Sequence, residues 1–340
     1  MATATQTLRA PRIATRPAVR TPNVFQRMWD HRADYLYILP ALLAMGIVIL
    51  YPLVEMFILS FQYTSPYTGK TTFVGLDNYK DAVSDEHFGL IVGNTLIWTA
   101  ASTIFALIIG MVAALAISRP MRFRGFIRGV LITPWIISAV TAAFIWKWMY
   151  NADSGVISGL LIQMHIISQP IKFIDSPNLV LASIIVANVW KSFPFAMIML
   201  LAGLQAIPEQ LYNAAKIDGA GRWARFREIT MPQLTPVLTV TSILLVFGNM
   251  NAFTFIQVLT GGGPTYHSSI FAVQVYAQAF VGSPHFELAA ALGVILFIIL
   301  MSFAAVYLWI LARQSRVRPV LLDEGEGGLA LGNATAGPAQ

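Results

Sequence analysis

The side chains best able to bind a solute lie inside long apolar stretches of the chain. Asn188, Ser192 and Phe195 fall on one face of a helix by their spacing, and Gly248 leaves open backbone beside Asn249. Polar groups at membrane depth are costly, so they are functional candidates by default. Amides that bond hydroxyls, next to aromatic rings that contact C–H faces, are the groups an oligosaccharide site needs. The candidates are Trp135, Asn188, Ser192, Phe195, Gly248 and Asn249.

Two alternatives stay open for this set of residues. Asn and Ser in a membrane bundle often serve only to join helices, with pair energies of about 0.6 kcal/mol. Lys191 lies among the candidates as a lone cation. It either meets an anionic solute, such as a sugar sulfonate or glycerol phosphate, or accompanies a neutral sugar.

Several other chemistries lack the residues they need. The chain has no cysteine, its five histidines show no metal-ligand spacing, and Glu55 is alone at membrane depth. The segment Thr68–Thr71 resembles the end of a phosphate-binding loop, but Thr64 stands where that loop requires a glycine. We therefore expect no catalytic residue, no metal site and no cofactor in this chain, and no proton-coupled transport.

The composition indicates which elements position the candidates. Hydrophobic residues make up 56% of the 340 residues and charged residues 11%, against roughly 25% charged in a soluble domain. Six stretches are long enough for a membrane helix, which needs about 20 apolar residues. They are Leu36–Phe61, Leu90–Ile117, Phe126–Tyr150, Leu179–Leu204, Pro236–Leu259 and Leu288–Ala312. The sequence predicts an all-α integral membrane protein, with kinks at internal prolines such as Pro134 and Pro194.

The distribution of Lys and Arg predicts the orientation. Most of the 22 basic residues fall in the two tails, the loop between spans two and three, and the loop between spans four and five. Because cytoplasmic loops carry the excess of basic residues, both termini are predicted to be cytoplasmic. Residues 1–35 form a basic flexible tail in this interpretation, 36–312 the membrane domain, and 313–340 a disordered tail.

The cytoplasmic loop 205–236 contains the signals of two short helices. Pro208 suits a first helical position, Glu209 the positive first turn, and Gly219 the end of the helix. A second amphipathic piece, Trp223–Ile229, is predicted to end at Met231 and Pro232. Such a helix–Gly–helix unit either docks into a groove of another protein or lies on lipid headgroups, and periodicity favours neither.

Three segments carry a resemblance to a known family. They are Pro208–Ala220 with Ile229–Pro232 and Pro236 after it, Asn188–Phe195, and Leu259–Pro264. Together they closely resemble the permease subunits of bacterial ATP-binding-cassette (ABC) importers of the maltose-type carbohydrate branch. The first segment is similar to their Glu-Ala-Ala loop. The similarity covers roughly Tyr35 to Arg313 and implies a type I importer (MetI-like) permease fold in the bacterial cytoplasmic (inner) membrane.

The resemblance also implies a mechanism and partners. The loop would form a coupling helix seated in a cytoplasmic ATPase dimer, which binds the ATP and Mg²⁺, while a second homologous permease completes the pathway. An extracytoplasmic binding protein would deliver the carbohydrate. Asn213 stands where the family has the acid that pairs with a basic residue of the ATPase, which puts that salt bridge in doubt. The coupling positions are Glu209, Tyr212, Asn213, Ala214, Ala215, Asp218, Gly219 and Arg222.

Positions matched to the family add one residue to the substrate pathway. Trp135, Asn188, Ser192, Phe195, Gly248, Asn249 and Ala252 occupy positions that line the sugar site in maltose-type permeases. Gly248 replaces an aromatic residue of that pattern and Ala252 an amide, so the pocket is expected to be roomier and maltose is not implied. The rival hypotheses are an importer of an anionic sugar-like solute, a stand-alone secondary carrier and an intramembrane enzyme.

Overall fold

The computed structural model describes residues 32–119 and 121–316, with side chains from 37 to 119 and from 121 to 309. Most of both predicted tails lies outside the described residues. The chain divides into two units, one ending at Glu55 and the other beginning at Met56, and each is described by itself. The first contains the apolar helical residues from Arg32 onward, which belong to the candidate membrane span Tyr37–Ser60.

The described chain is mostly helical. Up to the fourth span its elements are α1 (Arg32–Met45), a π turn (Gly46–Leu50), α2 (Tyr51–Ser60), β1 (Gln62–Thr64), β2 (Thr71–Phe73), α3 (Asp77–Ser84), α4 (Phe88–Ser118), α5 (Arg124–Ile136), α6 (Ala139–Met149) and α7 (Val156–Gln163). The rest are α8 (Val180–Gln205), α9 (Glu209–Ile217), α10 (Arg222–Arg225), a π turn (Phe226–Thr230), α11 (Met231–Met250), α12 (Phe253–Leu259), α13 (Phe271–Phe280) and α14 (Phe286–Arg316).

By length and composition the described residues hold five long membrane helices and one bent pair, which gives up to six spans. The long helices are Tyr37–Ser60, Phe88–Ser118, Val180–Gln205, Arg222–Met250 and Phe286–Trp309. The prediction of an all-helical membrane protein is confirmed, and so are the positions of spans one, two, four and six to within a few residues.

The third predicted span, Phe126–Tyr150, is interrupted close to Pro134, where the sequence predicts a kink. It consists of α5 and α6, which meet at an angle of 94°. Pro134 lies in the last turn of α5 and has no N–H to donate, and Ile137 then takes an extended conformation with ψ of 136°. Ser138 starts α6 anew, because its side chain accepts the N–H of Thr141 at 3.1 Å.

The predicted limits of the fifth span, Pro236–Leu259, are wrong. The helix runs from Arg222 to Met250, and α12 follows as a separate short helix after a break at Asn251 and Ala252. The predicted second piece of the loop, Trp223–Ile229, is therefore the first part of this span. Pro232 does not end it, because the preceding π turn, in which Met231 N–H bonds to Phe226 O, accommodates the missing donor.

The core lies along α4 and α8, which pack closely. A Cβ built on Gly110 of α4 would lie 2.7 Å from the Cβ of Ala196 in α8, so only glycine permits this approach. Further along α4, Trp98 is fully buried, and its Nε1–H donates to the backbone oxygen of Asn249 at 2.9 Å. Helix α4 thus packs against α8, which is the fourth span, and is hydrogen-bonded to the fifth span at Asn249.

The elements on the side opposite the 205–236 loop are short. Strands β1 and β2 form an antiparallel hairpin, and the segment Thr68–Thr71 lies at its turn and the start of β2. Asn78 of α3 donates to the backbone oxygens of Ser60 and Gln62, which holds α3 against the hairpin. Glu287 accepts the N–H of Thr64 and ties the start of α14 to β1.

Candidate substrate cavity and coupling loop

One cavity of about 570 Å³ brings together all eight residues predicted for the substrate pathway. It lies where both helix breaks occur, between α5 and α6 on one wall and between α11 and α12 on the other. In many membrane transporters, discontinuous helices form the substrate site. Its walls contain Trp135, Asn188, Lys191, Ser192, Phe195, Gly248, Asn249 and Ala252.

Two amides form the polar wall of the cavity. Asn188 Nδ2 donates to Asn249 Oδ1 at 2.9 Å, and Asn249 Nδ2 donates to Thr103 Oγ1 at 3.1 Å. Asn188 and Asn249 are 6% and 4% exposed. The two amides join α8 to α11, and they also line the cavity. Asn188 Oδ1 accepts no hydrogen bond from the described residues and stays available to a ligand.

Lys191 is anchored at the bend of the third span. Its Nζ donates to Ile137 O at 2.7 Å, which is a carbonyl that the break between α5 and α6 leaves without a helical partner. An ammonium has three donors, so Lys191 keeps two for a ligand. Stabilising the bend is a structural role that neither sequence hypothesis for this lysine included.

Aromatic rings form the second wall. The rings of Trp135 and Phe195 lie 5.9 Å apart between centroids, tilted by 31°. Trp135 is 47% exposed, so the described chain leaves part of this side chain uncovered. Beside them the Ser192 hydroxyl donates to Asn188 O at 2.7 Å and keeps its acceptor lone pairs. An aromatic face and hydroxyl-binding groups thus lie within the same cavity.

Gly248 leaves open space at the cavity surface. A Cβ built on Gly248 meets no atom within 4 Å, in agreement with the expected roominess at this position. Sequence reasoning did not commit to six further lining residues: Ala139, Leu244, Leu245, Asn251, Thr254 and Phe255. Four of them flank the two helix breaks. The sequence features that could indicate those breaks were Pro134 and the polar residues Asn249 and Asn251.

The loop after α8 presents α9 as an exposed short helix. Pro208 precedes it, and after Asp218 the chain turns at Gly219, whose φ of +79° favours glycine. Glu209 lies in the first turn and Lys216 in the last, where each complements the helix dipole. The helix ends before Gly219 as predicted, and it begins at Glu209, one residue after the predicted first position, Pro208. The exposed residues of this segment include Leu211, Asn213, Ala214, Ile217 and Asp218.

Asn213 and Tyr212 differ in their surroundings. Asn213 is exposed, and its Oδ1 accepts a hydrogen bond from Lys216 Nζ at 3.1 Å. Tyr212 is half-buried, and its hydroxyl shares a hydrogen bond of 2.9 Å with Thr230 Oγ1. Thr230 is the last residue of the π turn before α11. This bond joins α9 to the helix that carries Asn249 at its other end.

The fold and these two sites define the class of protein: a helical membrane permease with a polar cavity within the spans and an exposed helix on a loop. The chain belongs to the family of inner membrane components of binding-protein-dependent transport systems, whose model matches residues 106–316. It is therefore a permease component of the inner membrane, and not a catalytic subunit. The resemblance stated from its sequence is confirmed.

Named relatives support this assignment. The trehalose/maltose transport system permease protein of Thermococcus litoralis is 33% identical over 279 residues, which cover 82% of this chain and 93% of the relative. The diacetylchitobiose uptake system permease protein of Streptomyces coelicolor is 32% identical, over 83% and 87%. The sulfoquinovosyl glycerol transport system permease protein of Agrobacterium fabrum is 32% identical, over 83% and 91%.

A solved structure supports the fold. The crystal structure of a bacterial ABC transporter involved in the import of the acidic polysaccharide alginate matches with a TM-score of 0.73 at 21% identity. The match covers 87% of this chain and 100% of that one. This likeness confirms the importer permease fold predicted from the sequence.

Proposed function

We propose that this chain conducts a carbohydrate through the membrane as one permease of an ABC importer. The observation that carries the proposal is the cavity that combines Trp135 and Phe195 with Asn188 and Asn249. Its volume of about 570 Å³ lies within the usual range for small-molecule sites, roughly 300–1,000 Å³. The relatives named for trehalose/maltose, diacetylchitobiose and sulfoquinovosyl glycerol support a sugar or sugar derivative.

A neutral sugar is the first candidate, because two of the three relatives described above are named for trehalose/maltose and diacetylchitobiose. Lys191 is the only charged side chain among the lining residues, and Ile137 O already engages its ammonium. The sulfoquinovosyl glycerol relative keeps an anionic sugar-like solute as the second candidate. Lys191→Gln separates the two, because it lowers uptake of an anionic solute selectively and affects a neutral sugar only through the stability of the bend.

The proposed partners follow from the membership of the family and from the exposed α9. A binding protein delivers the sugar on the outer side, and a second permease completes the pathway. An ATPase dimer binds ATP with Mg²⁺ and hydrolyses it. Both termini and α9 lie on the cytoplasmic side in this proposal. Because Asn213 carries no charge, α9 docks mainly through shape, with Leu211, Ala214 and Ile217 exposed for contact.

Coupling then follows the path from α9 to the cavity. Movement of α9 against the ATPase reaches Thr230 through Tyr212, and α11 carries it as a rigid rod over roughly 28 Å to Asn249, at 1.5 Å per residue. At that end α11 is joined to α8 by the amide pair. The cavity is thus opened toward one side or the other by displacement of one helix.

The absence of cysteine provides a direct test of the cavity. Ser192→Cys introduces a single thiol at its wall, and Ser242→Cys introduces one in α11 outside it. In the full importer with its binding protein, we expect the transported sugar to slow maleimide labelling at position 192 and not at 242. Equal labelling rates with and without the sugar at position 192 would refute the proposed site.

A further inference from the structure

A second cavity, of about 320 Å³, lies behind the coupling helix. It is an open cavity lined by the end of α4, by α9 and by the first turns of the fifth span. Its lining residues are Leu115, Ser118, Arg119, Tyr212, Arg222, Arg225, Phe226 and Thr230. The cavity is distinct from the substrate cavity, with which it shares no residue.

Three arginines make this cavity strongly basic. No carboxylate of the described residues lies within 4.0 Å of the guanidinium groups of Arg119, Arg222 and Arg225. Arg225 Nε is buried and has no hydrogen-bond partner among the described residues. A buried donor without an acceptor is costly, and that cost falls on Arg225. Arg119 and Arg222 are exposed, so their guanidinium groups are accessible to an anion in the cavity.

The arrangement suits a phosphate group. Guanidinium groups bind phosphate oxygens in pairs through their planar fork, and three of them converge here from two elements. We propose that the headgroup phosphate of an anionic phospholipid occupies this cavity. Basic pockets between membrane helices on the cytoplasmic side are known to hold such headgroups.

The position of the cavity favours a lipid over an acidic residue of the ATPase. Ser118 is the last residue of membrane helix α4, so the cavity lies at the end of a span, where headgroups are found. Leu115 and Phe226 give it an apolar wall next to the arginines. The docking helix turns only Tyr212 into the cavity, while Leu211, Asn213 and Ala214 are exposed elsewhere on α9.

The lipid would act on coupling through Tyr212. A phosphate bound by Arg119 and Arg222 bridges α4 to the base of the fifth span, and the Tyr212–Thr230 hydrogen bond lies in the same cavity. Occupancy therefore holds α9 in place for the ATPase. Lipid binding does not depend on the transported solute, whereas this effect on coupling rests on the proposed function.

The test counts lipids on the intact importer by native mass spectrometry, with added phosphatidylglycerol. Arg119→Gln with Arg222→Gln removes two exposed cations, and Arg227→Gln is the matched control, since Arg227 is exposed in the same loop but does not line the cavity. We expect the double variant to bind one phosphatidylglycerol about tenfold more weakly, because charge-assisted hydrogen bonds to phosphate are lost. The control should bind like the wild type.

Three outcomes would overturn the proposal. Equal retention of phosphatidylglycerol by the wild type and the double variant would exclude a headgroup site. A cavity that binds inorganic phosphate but retains no phosphatidylglycerol would exclude it as well. Loss of the ATPase from the double variant with lipid retention unchanged would assign the arginines to the ATPase. A lipid effect in an importer that carries no sugar would refute the proposed function and leave this inference standing.

Discussion

Asn188 in α8 and Asn249 in α11 share a hydrogen bond of 2.9 Å at the wall of the substrate cavity. The bond joins the fourth and fifth spans at the depth where the solute is proposed to pass. The indole N–H of Trp98 in α4 donates to the backbone oxygen of Asn249 and holds this residue in place. Three packed membrane helices, α4, α8 and α11, thus position the polar wall of the cavity.

Replacing Asn188 should separate its two roles. We expect Asn188→Ala to lower the free energy of unfolding by about 1 kcal/mol or less, since side-chain hydrogen bonds between membrane helices are worth about 0.6 on average. Uptake of the sugar should fall about tenfold, because the free Oδ1 of Asn188 is lost to the ligand. Thermal unfolding in detergent and uptake into proteoliposomes measure the two effects.

Ser242→Ala is the control for this variant, because the Ser242 hydroxyl donates within α11 and does not line the cavity. It should leave uptake unchanged. If Asn188→Ala lost stability but kept normal uptake, the amide pair would serve only to join the helices.

Trp135 should contribute through its aromatic face. We expect Trp135→Ala to raise the sugar concentration needed for half-maximal uptake about two- to tenfold, since a well-placed aromatic contact is worth roughly 0.5–1.5 kcal/mol. Trp135→Phe should keep most of the affinity. Trp148→Ala provides the comparison, because Trp148 is exposed in α6 and outside the cavity. An equal effect of the two Ala variants would exclude a specific role for Trp135.

The helical spacing in α8 was predictable, whereas the ends of two spans were not. Asn188, Ser192 and Phe195 do reach one cavity, because α8 is unbroken and a period of 3.6 holds along it. Pro134 predicted a kink in the third span but not its angle of 94°. Hydropathy did not show that the fifth span breaks at Asn251, because apolar residues continue on both sides of that residue. The lining residues beside those breaks were missed for this reason.

Gly248 and Gly110 should respond in opposite ways to the same change. Gly248→Ala should fold normally and even gain up to about 1 kcal/mol of helix propensity, because its added Cβ meets open space. Gly110→Ala should destabilise the chain, because its Cβ would lie 2.7 Å from that of Ala196. Thermal unfolding of the two variants gives the comparison.

A larger side chain at Gly248 should change specificity. We expect Gly248→Phe to fold and to exclude the larger sugars while a monosaccharide still competes for uptake, because the ring would occupy the open side of the cavity. Competition by sugars of increasing size is the measurement. A size profile like that of the wild type would show that solute does not pass beside Gly248.

The Tyr212–Thr230 bond should affect coupling more than assembly. Tyr212→Phe and Thr230→Val should each reduce the stimulation of ATP hydrolysis by the loaded binding protein, while the ATPase still copurifies. Because both remove the same hydrogen bond of 2.9 Å, the double variant should be no worse than either single one. Additive losses would show that the two residues act independently.

The proposed import of a carbohydrate can be decided in proteoliposomes that hold the two permeases and the ATPase. The binding protein is added outside with its own radiolabelled ligand, and ATP is enclosed on the side of α9. We predict accumulation of a sugar that requires both ATP and the binding protein. Accumulation driven by an ion gradient through this chain alone, or a ligand that proves to be an amino acid or a metal ion, would contradict it.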